Sequence, residues 1–179
     1  MWATACSAVE QGYGFGKAPP AKLSMQTQLF QRWVWKSLAA GLCGAIAHTL
    51  LILLKTHAGW LPSFQPYVAL QTTLNQLVGS DVPAIIPWVI SYLNSMTVVG
   101  LLFGSTYRLL PGKHGITKGF LVGVLVWLIM GSVFFPAIGL GFFAWDVGQG
   151  FKPTLFSLTM VQAYSSVMGK VFALLNRVS

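Results

Sequence analysis

Apolar residues run almost unbroken through four stretches of the chain, at about 34–54, 85–110, 118–143 and 154–175. Each is long enough to cross about 30 Å of hydrocarbon as a helix rising 1.5 Å per residue. The pattern therefore predicts an all-α bundle of four transmembrane helices. Pro111-Gly112 stops the second stretch, and Pro153 stands where the fourth helix starts. Pro136 falls inside the third stretch and predicts a kink or an early end near Phe135.

The segment 57–83 breaks the pattern. It carries three prolines and no basic residue, and Val68, Leu70, Leu74, Leu77 and Val78 form a partial helical stripe with glutamines and threonines opposite. That pattern predicts a short helix lying in the interface between helices 1 and 2. A lid or re-entrant segment over a cavity is the functional alternative. Residues 1–32 read as an N-terminal cytoplasmic or interfacial tail, and 33–179 as a single four-helix membrane domain. The opening MWATACSAVEQGYGFGK lacks the positive start and apolar core of a secretory signal.

The stretches pair up as an internal repeat. Lys36, Gly41 and the run to His48 match Lys118, Gly123 and the run to Met130 at a constant offset of 82. GSTYRLL at 104–110 matches GKVFALL at 169–175 at an offset of 65, with Gly100 opposite Ser165. Both halves begin on the same side, which makes this a parallel repeat about an axis along the membrane normal and places His48 and Met130 at similar depth.

Composition agrees with the pattern. Of 179 residues, 55% are hydrophobic and 8% charged, against about a quarter charged in soluble domains, and mean hydropathy is +0.68. The net charge of +8 would suggest nucleic acid on a soluble protein. Beside apolar spans it indicates anionic lipid instead, with no nucleic-acid partner. Lys17, Lys22, Arg32, Lys36, Arg108, Lys113, Lys118, Lys170 and Arg177 fall on one predicted side, against Lys55 and Lys152 on the other. By the positive-inside rule both termini are expected in the cytoplasm, in a multi-pass protein of a prokaryotic inner membrane. Trp33, Trp35, Trp60, Trp88 and Trp145 fall near the span ends, as an aromatic belt requires.

Small residues mark the expected packing faces. Gly41 and Gly44 lie with His48 on the first helix, Gly100 and Gly104 form GxxxG on the second, Gly119 and Gly123 on the third, and Ser165 and Gly169 a similar pair on the fourth. In lipid, close backbone approach over such residues supplies much of the attraction between helices. A polar interior is expected from Tyr92, Asn94 and Thr97 on the second helix and Gln162 and Tyr164 on the fourth.

His48 is the one histidine inside a span. Three readings are open: a packed histidine hydrogen-bonded to a neighbour, a proton- or substrate-handling group, or an axial ligand of haem or (bacterio)chlorophyll. The spans contain no carboxylate, which weighs against proton-coupled transport, and the chain has no GxSxG, HExxH, P-loop or zinc-spaced Cys/His set. No metal site, no enzyme activity and no certain cofactor are expected.

GLLFGSTYRLL, the run KGFLVGVLVWLIMGSVFFPAIGLGFF and the closing MVQAYSSVMGKVFALL resemble a family of small four-helix prokaryotic membrane proteins of unknown function, over about residues 36–179. The resemblance implies a fold and no activity. The function expected first is a non-catalytic accessory subunit of a larger inner-membrane complex, respiratory or photosynthetic, in contact with membrane lipids and with other subunits or further copies of itself. A small-solute transporter or channel and a haem- or (bacterio)chlorophyll-binding protein are the alternatives.

Overall fold

The computed structural model describes the backbone of residues 21–177 and the side chains of 28–177. Helix α1 runs Ala21–His57 and α2 runs Pro66–Val78. Helix α3, Ile86–Thr106, contains a π-helical turn at Ser95–Val99, and α4, Gly115–Ala137, contains another at Met130–Phe134. A 3-10 turn at Phe142–Val147 precedes α5, Lys152–Arg177. The described residues contain no strand. Helices α1, α3, α4 and α5 are long and apolar enough to cross a membrane, as in a multi-pass membrane protein. Contacts divide the chain at Arg32/Trp33, and all packing below lies within 33–179.

Several boundaries differ from the expectation. Residues 21–32, assigned to the tail, are helical turns of α1; residues 1–20 lie outside the described residues. Helix α3 ends at Thr106 and not at Leu110, because Leu109 and Leu110 both turn their N–H groups back to the Thr106 carbonyl. Helix α4 ends at Ala137 and not at 143, since Gly139 and Gly141 take left-handed φ values of 78° and 73°. Pro136 does not kink a regular helix here. The π turn before it has already shifted the ladder, with the Phe135 N–H bonded to the Met130 carbonyl.

The glycines expected at packing faces do stand at close approaches. On α4, Gly115 and Gly119 face the main chain of Gly169 and Ser165 on α5, and Gly169 faces Gly115 and Gly119 in return. A Cβ on Gly123 would stand 2.7 Å from Oε1 of Gln162 and 3.0 Å from the Ser165 Cβ. On α1, a Cβ on Gly41 would stand 2.5 Å from the Ser95 carbonyl oxygen of α3, and one on Gly100 2.7 Å from that of Ser37. Gly104 faces the Ser37 hydroxyl, and Gly44 faces the Tyr164 ring at 2.8 Å. The α1–α3 and α4–α5 crossings thus use the positions that the repeat equates: Ser37 with Gly119, Gly100 with Ser165, and Gly104 with Gly169.

Between these pairs, one half of the bundle is filled by Phe103, Tyr164, Met168 and Phe172, with Phe103 edge-on to Phe172 at 5.6 Å. The opposite half is held differently. Phe64, in the α1–α2 connection, is wholly buried and edge-on to Phe135 at 5.9 Å and Phe156 at 6.4 Å. Lys55, also buried, donates from Nζ to the Phe64 carbonyl at 2.5 Å.

Helix α2 starts on Pro66 and ends on Gly79, whose left-handed conformation (φ 72°) brings its N–H to the Asn75 carbonyl. It is fastened to α3. The Tyr67 ring stacks on Trp88 at 3.9 Å, and its hydroxyl meets the Ser91 hydroxyl at 3.1 Å. Burial there holds the Tyr67 hydroxyl above the ordinary tyrosine pKa range. Gln71 donates to the Val82 carbonyl, and the Asn75 side-chain oxygen accepts from the Val82 N–H, both at 2.8 Å. Tyr67 thus ties the start of α2 to α3, and Gln71 and Asn75 fold the α2–α3 connection back onto α2.

Candidate functional site

The end of the bundle beneath α2 holds a partly open cavity of about 550 Å³. Phe64, Pro66, Tyr67 and Leu70 cover it, and its walls come from all four spanning helices. Most of the lining is apolar: Ile90, Val98, Val99 and Leu102 from α3; Val126, Ile129, Met130, Phe134 and Phe135 from α4; and Met160 and Val161 from α5. Ile90, Val98, Leu102, Ile129 and Phe134 line it and are exposed. The cavity is thus least enclosed on the side between α3 and α4.

The polar groups in the lining are few and uncharged: His48, Tyr67, Ser91, Asn94, Ser95 and Tyr164. No Asp, Glu, Lys or Arg lines the cavity. Tyr67 and Ser91 satisfy each other, and Tyr164 donates to the Ser95 carbonyl at 3.0 Å. His48 and Asn94 have no side-chain hydrogen bond to any described residue. Several other polar side chains in the spans do find partners. Thr49, Thr97, Ser132 and Thr159 each donate to the carbonyl four residues back in their own helix. An unmet amide or imidazole at membrane depth costs free energy; His48 is half-buried and Asn94 exposed, and the buried Ser165 hydroxyl of α5 likewise lacks a partner among the described residues.

Their placement is shared. His48 lies nine residues before the end of α1 and Asn94 eight after the start of α3. At 1.5 Å per residue both stand about 13 Å below the helix ends on the α2 side. Both π turns border the same space, through Ser95, Val98 and Val99 on one side and Met130 and Phe134 on the other. A π turn rotates side chains out of the regular register and is common at functional sites. Here the two turns set opposite walls of one cavity.

The expected polar interior is only partly assembled. Asn94 and Tyr164 reach the cavity, as does Met130, which the repeat placed level with His48. Tyr92 turns away and shares a hydrogen bond with Thr49 at 2.7 Å. Thr97 is exposed and bonds to the Leu93 carbonyl. Gln162 sits against Gly123, with its amide positioned for the Phe120 carbonyl and the Val124 N–H. Among the described residues no group of three His, Cys, Asp or Glu side chains forms a metal site.

Sequence reasoning missed Phe64, Tyr67 and Trp88 as the parts that seat the cover. The available signal was Phe64 between Pro62 and Pro66, a lone aromatic in a rigid connection. The π turns left no such trace.

The chain belongs to a family of unknown function (DUF6789), whose family model matches residues 31–179. No curated protein and no solved structure matches it.

Proposed function

We propose that this member of a family without an assigned activity is a non-catalytic membrane subunit that takes up a lipid-soluble molecule from the bilayer. The observation that carries the reading is the cavity under α2, apolar and open between α3 and α4, with His48 and Asn94, unpartnered among the described residues, in its lining. A pocket of this kind, mostly apolar with a few convergent polar groups, is the usual form of a small-molecule site. The filled half, around Phe103, Met168 and Phe172, favours a closed-ended binding site over a path for solute across the membrane. Native mass spectrometry from lipid nanodiscs tests the reading. One small-molecule adduct per chain is expected, and it should be lost in Val126→Phe, which fills the cavity from α4. Identical spectra for the two proteins would overturn the proposal.

We place the subunit in a larger inner-membrane assembly, of respiratory or photosynthetic type. Of the four spans, helix α3 has the smallest part of its length buried within the chain, which leaves a broad face for a neighbouring subunit. The charge bias supports cytoplasmic termini. Reporter fusions after His57 and Phe151 should therefore read extracytoplasmic, and fusions after Gly112 and at Ser179 cytoplasmic. A cytoplasmic result after His57 would reverse the orientation and put α2 and the cavity on the other side.

One observation favours a second reading. His48 and Met130 line the same cavity, as axial ligands of a haem would. A Soret band in protein isolated from its native host, lost in His48→Gln, would establish it. A colourless protein would remove it.

A further inference from the structure

We infer that the molecule the cavity takes up is an uncharged amphiphile: a carbonyl- or hydroxyl-bearing head on a long apolar tail, the head lodged between His48 and Asn94. The inference rests on the lipid-soluble occupant proposed above and gives its chemical class. Three observations lead to it. The first is electrostatic. No charged residue lines the cavity, so a carboxylate or phosphate head would be stripped of water without a counter-charge, as would an ammonium head. Lys55, the basic residue nearest in sequence to the cover, is committed to the Phe64 carbonyl.

The second observation is hydrogen bonding. His48 offers a ring N–H and a ring nitrogen acceptor, and Asn94 an NH₂ and a carbonyl, and neither is used within the described residues. Together they match a head that carries a carbonyl oxygen, a hydroxyl, or one of each. The third is depth. Both groups stand about 13 Å below the helix ends, so the head must leave the interface and enter the hydrocarbon. A neutral head makes that transfer at modest cost when hydrogen-bonded, and a charged one does not. The tail then lies against Val98, Leu102 and Ile129 and leaves through the open side between α3 and α4.

Two sources share this chemistry, a lipid-soluble quinone and a neutral glyceride or isoprenoid alcohol. The full chain in nanodiscs is exposed to three diazirine probes of equal tail length, bearing a benzoquinone, a monoacylglycerol and a free carboxylate head, and adducts are mapped by mass spectrometry. Cavity residues, Val99 and Met130 among them, should be labelled at least about tenfold more by one or both neutral probes than by the carboxylate probe. The neutral probe that labels more strongly identifies the source. His48→Leu should reduce that labelling about tenfold while labelling of the lipid-facing Leu50 and Leu53 stays unchanged. Asn94→Leu, at an exposed position, repeats the test if the first variant folds poorly. Carboxylate labelling equal to or above the neutral probes would overturn the class while leaving a lipid-soluble occupant in place. Absence of cavity labelling by all three probes would overturn both. Undiminished neutral labelling in both variants would remove the head from His48 and Asn94.

Discussion

Gly119→Leu is expected to leave little correctly folded bundle. A Cβ at this position would stand 2.9 Å from the Ser165 carbonyl carbon and 3.2 Å from the Ser166 Cα, and closer still to the Ser165 carbonyl oxygen. These are main-chain atoms of α5 and cannot rotate aside. The two helices must part, and the reciprocal contacts of Gly169 with Gly115 and Gly119 part with them. Overpacking a core usually costs about 1–3 kcal/mol. A leucine driven into a helix backbone belongs at the top of that range or beyond, because in lipid no hydrophobic force between helices offsets the lost contact. The measurement is the monodisperse fraction on size exclusion and its thermal midpoint in detergent. Wild-type behaviour would show that α4 and α5 do not meet along this seam.

The same experiment has a built-in comparison at the related crossing. At Gly104 the obstacle is the Ser37 hydroxyl, a side chain that can be removed. Gly104→Ala should destabilise the bundle, and adding Ser37→Ala should recover part of the loss. Gly119→Ala combined with Ser165→Ala should show no such recovery, since the Ser165 obstacle is its carbonyl. The comparison thus separates an obstacle made by a side chain from one made by the main chain.

The helices and their packing faces were legible because they depend on local signals: apolar length, proline and glycine at the ends, and small residues spaced four apart. Gly100 and Gly104 needed no partner to be recognised. The cavity was not legible, because it is set by what faces what. Tyr92 and Asn94, two residues apart on α3, face different ways as a regular helix requires, and only the fold shows that one meets Thr49 while the other lines the cavity. The π turn that begins at Ser95 then shifts every later side chain of that helix, a rotation no periodicity argument from a regular helix would include. His48 is the clearest case. Its place on a small-residue face argued for burial with a hydrogen-bonded neighbour, but it is half-buried and has no such neighbour among the described residues. The small residues around it serve contacts to α3 and α5, at Gly41 and Gly44, and the imidazole is left to the cavity.

Phe64→Ala should free the cover while leaving the helices beneath it in place. Phe64 is wholly buried against Phe135 and Phe156, and truncating such a side chain costs about 3–5 kcal/mol. The loss is expected to be local. The turn that delivers Phe64 holds Leu61 at a positive φ of 51° and closes with the Phe64 N–H on the Leu61 carbonyl at 3.0 Å. Without the ring to repay that strain, the connection should undock from Leu61 onward, and α2 would stay attached on that side through Tyr67, by its stack on Trp88 and its hydrogen bond with Ser91. Lys55→Met should act in the same direction but more weakly, by about 1–3 kcal/mol, since it strands the Phe64 carbonyl and keeps the ring. Hydrogen exchange on the full chain in nanodiscs reads the difference. Amides of residues 61–78 should exchange faster in Phe64→Ala, while those of α4 and α5 around Gly119 and Ser165 keep their protection. Faster exchange across all four spans would make Phe64 a pillar of the whole bundle, and unchanged exchange at 61–78 would mean that the cover is seated by α2 itself.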